Sequence, residues 1–445
     1  MIRSESRAGR RWSVVAIALP VLLLMAPPAT AQDRAQAFTG ARILTMAGET
    51  IENGTLVVHD GVIAHVGESD DVDLPAAADV HELDGATIIP GLVDTHSHLG
   101  GPWAADGSEP IQPECRALDA IDVRDAGFQK AQAGGVTTAN VMPGSGHLLS
   151  GQTLYLKLRD GGTIDDLLIM DDGMVAGGVK MANGTNSQKA KPFPGTRGKA
   201  AALVREAFVA AQDYRRKIEA ADGDPAKMPP RDLGMETLLD VLDGARVVHH
   251  HTHRHDDVLT VLRLQEEFGF RVVLHHVSEA WKVADEIAAA DVPCSIILLD
   301  SPGGKHEAVD LVWKTGGVLE DAGVSVSIHT DDPITDSRWF LRSAAFAVRA
   351  GMSREAALRA LTIEAAKHLD LADRIGSLEV GKDADFAILS GDPLALRTRV
   401  LETWVEGERV FDLDDEDDRL WAEGGYGASR PQALTWCCHG SLEAK

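Results

Sequence analysis

The chain has 445 residues, 44% of them hydrophobic and 25% charged, an ordinary composition for a soluble globular protein that can bury a sizeable core. A formal net charge of −25 leaves no basic surface to neutralise phosphates and argues against nucleic acid as a partner. Length alone points to two or three domains, or to one large barrel plus a smaller unit.

The N-terminus reads as an export signal. Arg3, Arg7, Arg10 and Arg11 precede an apolar run from Val14 to Met25, interrupted by Pro20 and too short to span a bilayer comfortably. Ala29-Thr30-Ala31 then supplies a small-x-small cleavage site. Residues 1–31 are read as the signal peptide, with the mature chain starting near Gln32 in the periplasm or outside the cell. Trp12-Ser13 follows Arg10-Arg11 where an apolar pair is usual, which favours Sec over Tat export. No later segment reaches the roughly 18 uninterrupted apolar residues of a membrane span. Cys115, Cys294, Cys437 and Cys438 include no CxxC pair and are weak metal candidates.

From Ala37 to about Pro90 the chain reads as short strands: Ala41 to Met46, Thr55 to His59 and Val62 to Val66. Asp60-Gly61 between two apolar runs signals a hairpin. From Gly91 to about Leu369 apolar strands alternate with helical segments. Strands are predicted at Leu92 to His96, Val136 to Met142, Leu167 to Met170, Ala176 to Met181, Arg246 to His251, Arg271 to His276, Ser295 to Leu299 and Val324 to Thr330. Helices are predicted at Arg116 to Gln132, Lys199 to Ala220, Asp256 to Glu267, Glu279 to Ala289 and Arg354 to Leu369. Such alternation argues for βα units around a parallel sheet, and about eight strands fit a (β/α)8 barrel. An open doubly wound sheet is the alternative, but Gly91 to Gly101 offers no Gly-rich phosphate turn. Strands return at Asp385 to Leu389, Val400 to Val405 and Glu408 to Phe411, placed to complete the N-terminal β unit. Residues 414–445 read as an acidic, mobile tail.

Chemistry is concentrated at predicted strand ends. Pro90-Gly91-Leu92-Val93-Asp94-Thr95-His96-Ser97-His98 puts Asp94, His96 and His98 on one strand face, where two neutral imidazoles can lean towards one ion. Lys180 sits inside the apolar strand GGVKMA, where a lysine rarely buries without a partner. It is either a snorkelling side chain or a lysine carbamylated by CO₂. The run ARVVHHHTHRHDD puts His249, His251 and His253 on one face and His250 on the other. In RVVLHHVSE either His275 or His276 must point inwards, and alternation does not choose between them. In VSVSIHTDDP the polar stripe Ser325, Ser327, His329 and Asp331 makes Asp331 the acid–base candidate, and Asp332, before Pro333, suits a turn. His147 and Lys305-His306 sit in Gly-rich loops that can shape a pocket or simply lie at the surface.

Taken together, PGLVDTHSH, the later histidine strands and Asp331 resemble the amidohydrolase superfamily, and in particular its exported imidazolonepropionase-like branch. The resemblance extends to GARILTMAGETIENGTLVVHDGVIAHVG near the start and LTIEAAKHLDLADRIGSLEVGKDADFAILSGDPL near the end. It implies an α/β fold: a (β/α)8 TIM barrel over residues 91–370, with a small β-sandwich built from residues 32–90 and 371–413. It implies a site for one or two divalent metal ions, zinc above all, at the C-terminal mouth. By position, His96 and His98 match the first-strand ligands, His251 the fifth-strand histidine, His276 the sixth-strand histidine and Asp331 the eighth-strand aspartate. Lys180 resembles the bridging, carbamylated lysine of dinuclear members. Relatives of this branch read Gly-Glu-Asn where this chain has Gly184-Thr185-Asn186, so one carboxylate is missing.

The chemistry implied is hydrolysis of a carbon–nitrogen bond, an amide or cyclic amide of a small molecule, by a metal-activated hydroxide. Asp331 would act as general base and then general acid. His276 would ligate metal or steady the oxyanion. An exported metallo-dipeptidase is one alternative, and a non-catalytic binding protein on the same fold is another. The reading leaves room for a homo-oligomer.

Overall fold

The structure is a computed structural model that describes residues 34–101, 106–171, 173–298 and 306–424. The predicted signal peptide, the start at Gln32, Leu299, Lys305 and Cys437-Cys438 lie outside the described residues.

The two ends of the chain share one eight-stranded mixed sheet. Gln36–Ile43, Ile51–His59 and Val62–Glu68 form an antiparallel meander. Asp60 and Gly61 both take positive φ, 50° and 76°, as a two-residue type I′ hairpin requires. Thr87–Pro90 joins this meander to the C-terminal strand Phe386–Leu389, with Ile88 opposite Ile388. Val400–Val405 and Glu408–Asp412 extend the edge. Phe38, Ile43, Leu56, Ile88, Phe386 and Trp404 form the core of this layer. Phe38 meets Phe386 and Trp404 edge-on, at 4.9 and 5.0 Å between ring centroids, a favoured aromatic geometry.

The middle of the chain builds two further sheets. In one, Val179–Ala182, Val248–Thr252, Val272–His276, Cys294–Ile296 and Val326–Ile328 run parallel in chain order, with Leu149–Gln152 antiparallel at one edge. In the other, Leu92–Ser97 lies parallel to Val136–Val141, which pairs antiparallel with Leu154–Lys157. Backbone contacts join the two at both ends. Asp331 N donates to His96 O at 2.9 Å, and Thr153 N to Gly178 O at 2.9 Å. Leu167 to Met170, expected as a strand of the parallel series, instead leads into a two-residue pairing of Met170–Asp171 with Met174–Val175. The consecutive strands Leu149–Gln152 and Leu154–Lys157 take the edge positions instead, one in each of the two sheets.

Three predicted helices are broken, two of them by backbone groups drawn into tertiary contacts. Arg354 to Leu369 divides into Arg354–Arg359 and Ile363–His368. The carbonyls of Ala360 and Leu361 accept from Ile328 N and Val93 N, both at 2.9 Å, so they serve the sheets rather than a helix. Arg116 to Gln132 keeps only the short turn Ala117–Asp119 and the helix Gly127–Ala133. Between them Asp122 N donates to Gly100 O, and the Asp122 and Asp125 carboxylates accept from Arg124 N and Gly127 N. Glu279 to Ala289 becomes the turn Ala280–Lys282 and the helix Ala284–Ala289. The long helix Arg197–Ala221 starts where Thr196 accepts from Lys199 N, an N-cap. Within the acidic tail the structure adds the helix Glu416–Glu423. Asp415 caps it, and Glu416, Asp417 and Asp418 fill its first turn, where acidic side chains favour the helix dipole. No helix among the described residues is long and apolar enough to cross a membrane.

Two buried polar groups, Lys157 and His368, bear on stability. Lys157 is fully buried, with Nζ 2.5 Å from Asp385, 2.8 Å from Asp383 and 3.8 Å from Glu406. It ties the Leu154–Lys157 strand to the sheet shared by the chain ends. His368 is buried with its ring nitrogens 2.8 Å from Ser327 Oγ and 2.9 Å from Ser325 Oγ. Burial lowers its pKa from 6.5 to about 4. Between those values the unfolded chain binds a proton that the folded chain refuses. Stability therefore falls as pH drops below the unfolded value and levels off below the folded one. At pH 5 this ring alone costs about 2 kcal/mol relative to pH 7. In His368→Gln the difference in urea midpoint between the two pH values should shrink accordingly; an unchanged difference refutes the assignment.

Candidate metal centre

The buried strand Leu92–Ser97 carries the first histidines into the interior. Gly91 lets it begin close against its neighbour, since a Cβ there would lie 2.1 Å from Thr137 Oγ1. His96 Nε2 and His98 Nε2 lie 3.4 and 3.1 Å from Asp331 Oδ1. Asp331 takes a left-handed backbone conformation, φ 53°, which aspartate tolerates better than most residues. Asp94 organises this junction. Its carboxylate accepts from His96 N at 3.2 Å, from Thr330 N at 3.1 Å and from the Thr330 hydroxyl. Burial raises the Asp94 pKa to about 7 in spite of those bonds.

The arrangement calls for a positive charge. His98 Nδ1 lies 2.7 Å from Met142 O. A carbonyl only accepts, so Nδ1 carries a hydrogen, and Nε2 is the nitrogen turned towards the Asp331 carboxylate, 3.1 Å away. A proton or a cation belongs between these two atoms. Ligand atoms of His96, His98 and Asp331 all lie within 4.8 Å of one another, and two imidazoles with a carboxylate suit zinc or a similar divalent ion. Burial pushes the Asp331 carboxyl up, but the hydrogen bond and charge of His98, with His329 and Lys180, outweigh it and hold the group below its ordinary value. Burial, then Lys180, holds His96 well below the ordinary histidine value, in the neutral form that ligates.

Below the centre runs a string of rings. His96 Nδ1 is 3.2 Å from His275 Nδ1, His275 Nε2 is 3.0 Å from His249 Nδ1, and His249 Nε2 is 2.9 Å from the Tyr155 hydroxyl. Burial lowers His249 to about 3 and His275 well below its ordinary value, so both rings are neutral. A lone pair on His96 Nε2 then fixes the whole string: each ring donates to the next, ending at the tyrosine oxygen.

Strand alternation left open which of His275 and His276 turns inwards. Both do, with ring centroids 4.9 and 4.8 Å from that of His96. His276 and Val277 both take positive φ, 70° and 41°, which breaks the alternation and swings the second ring round. Such a conformation is a rare outlier for a β-branched residue like Val277. His276 Nδ1 is 3.1 Å from His329 Nε2, and His329 Nδ1 is 2.8 Å from Ser295 Oγ. Lys180 is fully buried, with Nζ 3.1 Å from both His96 Nε2 and Met142 Sδ. His251 lies on the far side of His276, centroids 4.4 Å apart, with Nε2 3.1 Å from Asn186 Nδ2 and 3.8 Å from Glu307 Oε1. His147 is buried against Phe193, centroids 5.0 Å apart, and His306 is exposed.

The six residues singled out from the sequence thus divide. His96, His98, Asp331 and Lys180 crowd one spot, His276 borders it, and His251 turns towards a second cluster with His253 and Glu307. Glu307 was not anticipated. Its only sequence signal is its place beside Lys305-His306, in a Gly-rich loop read as either shaping a pocket or lying at the surface.

A model of the amidohydrolase family matches residues 210–411. The chain is 33% identical to the crystal structure of an amidohydrolase from Thermotoga maritima MSB8, with a TM-score of 0.78 over 84% of this chain and 99% of that one. It is 26% identical over 391 residues to amidohydrolase tasK of Hapsidospora irregularis, covering 81% of this chain but only 40% of that protein. It is 25% identical over 411 residues to the imidazolonepropionase of Sphingopyxis alaskensis, covering 82% and 94% respectively. The chain belongs to the amidohydrolase superfamily, in its imidazolonepropionase-like branch, and is a hydrolase of carbon–nitrogen bonds with a TIM-barrel-type α/β fold. A divalent metal is the usual cofactor of this family, and the histidine and aspartate clusters described above are candidates to hold one.

Proposed function

We propose that the chain is an exported metallohydrolase that cleaves a non-peptide amide or cyclic amide of a small molecule, with Asp331 as general acid and base. The observation that carries this reading is the convergence of two buried imidazoles on one carboxylate, with His96 Nε2 and His98 Nε2 3.4 and 3.1 Å from Asp331 Oδ1. A divalent ion, zinc in the first instance, would polarise the scissile carbonyl and acidify a water molecule there. The carboxylate of Asp331, ionised at neutral pH by its histidine neighbours, takes the water's proton and returns it to the leaving nitrogen. His276 Nε2, buried with no hydrogen-bond partner among the described residues, steadies the charge that develops on the carbonyl oxygen. Lys180, with its amine beside His96, serves the centre as a carbamate. In this reading the two middle sheets close into one (β/α)8 barrel over residues 91–370. The shared sheet then belongs to a β-sandwich of residues 32–90 and 371–413.

Protein purified from zinc- or manganese-supplemented culture should hold stoichiometric metal and hydrolyse acyl-amino acids or cyclic amides in a screen that also contains dipeptides. Turnover of dipeptides alone would favour the dipeptidase reading. Absence of stoichiometric metal would remove the metallohydrolase reading. N-terminal sequencing of the same preparation should begin near Gln32, and a retained Met1 would sink export. Crystals of the loaded protein would show whether Lys180 carries the extra carboxylate.

A further inference from the structure

A cavity of about 580 Å³ lies at the seam between the helix Phe340–Arg349 and the layer built from the chain ends. Residues 393–399 and the start of the strand Val400–Val405 close its other side. The volume is that of a small-molecule site, and such sites favour seams of this kind. Leu341, Phe346, Leu394 and Val400 give it an apolar lining, and two more of its residues, Trp339 and Leu396, are 50% and 92% exposed. Large apolar side chains left in water around a cavity mark a binding surface.

The charge around this cavity is inverted. The chain carries 68 acidic residues against 43 lysines and arginines. The cavity is lined by five arginines, Arg338, Arg342, Arg349, Arg397 and Arg399, and by one acidic residue, Glu423. Arg338 forks onto Asp336, and Arg399 reaches Glu423. Arg349 and Arg397 are exposed and have no carboxylate partner among the described residues. Arg349 instead lies over the Phe346 ring, 6.0 Å from its centroid. An occupant must therefore satisfy free guanidinium groups and an apolar wall together. A second copy docked by two-fold symmetry would set these arginines against their own images, and like charges brought together in this way repel. A bare inorganic anion would leave the apolar lining wet. A planar carboxylate matches the guanidinium fork, and an apolar chain or ring behind it matches the lining.

We propose that this cavity binds a soluble amphiphilic carboxylate, an apolar chain or ring with an anionic head, and that Arg349 and Arg397 hold the head. None of the clustered histidines lines the cavity, so the proposal stands apart from the metallohydrolase reading, and its test reads binding rather than turnover. Full-length protein titrated with dodecanoate below its micellar concentration should bind one equivalent by calorimetry, with an affinity that falls as salt is added. Acetate lacks the chain and dodecyltrimethylammonium reverses the charge, so neither should bind. Arg349→Gln combined with Arg397→Gln should weaken dodecanoate binding by roughly tenfold or more. Both side chains are exposed, so this variant keeps its fold and carries the test even if the cavity-filling Ala345→Trp, which should abolish binding, does not fold. No binding to the wild type, unchanged binding to the arginine variant, or equal binding of the cationic probe overturns the proposal. Binding to phosphatidylglycerol vesicles alone would make this face a membrane contact. A dimer dissolved by Leu396→Asp and indifferent to dodecanoate would make it a contact between copies. Binding seen only after removal of residues 425–445 would assign the cavity to the chain's own end. Each of these three results overturns the proposal too.

Discussion

Asp331→Asn is expected to lower kcat by roughly 10² or more while the protein still takes up metal, because the amide keeps an oxygen donor but cannot accept and return a proton. The carboxylate and the two first-strand histidines converge within 3.4 Å, so the substitution is nearly isosteric where space is tight. The measurement pairs metal content with turnover on whichever amide the substrate screen identifies. Full activity in the metal-loaded variant would remove Asp331 from proton transfer. Loss of metal together with activity would show a ligand role that conceals any catalytic one, and pH–rate profiles of residual activity would then be the deciding readout.

Lys157→Met should cost roughly 3–5 kcal/mol of stability, the usual penalty for removing one partner of a buried charge cluster. The cost arises less from the lost attraction than from what remains. Asp385 keeps its backbone bond from Glu406 N but is left buried with its charge uncompensated, beside Asp383 and Glu406. Burial already raises the Asp385 pKa with the lysine present, and without it the carboxyl must protonate or the joint between the sheets must open. Urea unfolding at neutral pH is the direct test; a loss under about 1 kcal/mol would mean that water reaches the cluster and the joint is held by apolar packing.

The alternation of strand and helix and the shared face of Asp94, His96 and His98 are legible because they depend on period-two patterning over short apolar runs. The export signal rests on a basic segment, an apolar run and a cleavage site in sequence, and it lies outside the described residues. What stayed hidden depends on contacts distant in sequence. Nothing local announces that Ala360 and Leu361 lend their carbonyls to two sheet strands, so the helix from Arg354 was read as continuous. Nothing local places the Glu307 carboxylate beside Thr185, more than a hundred residues earlier. The His275-His276 ambiguity was real. Period-two reasoning assumes an unbroken extended backbone, and the left-handed turn at His276 suspends that assumption at the residue in question. Asp94 was placed on the correct face, but its grip on Thr330 could not be read, because the partner belongs to the other end of the barrel segment.

The row of rings from His96 to Tyr155 has a polarity. Hydrogens in such a row cannot be assigned ring by ring: if one imidazole changes which nitrogen is protonated, every ring below must follow. Whatever faces His96 Nε2, the Lys180 amine 3.1 Å away or an ion in its place, therefore selects the same one of two ordered states of the row and makes the tyrosine oxygen the acceptor at its foot. Nitrogen-15 chemical shifts of His249 and His275 should then report, from beneath the centre, which order the row holds.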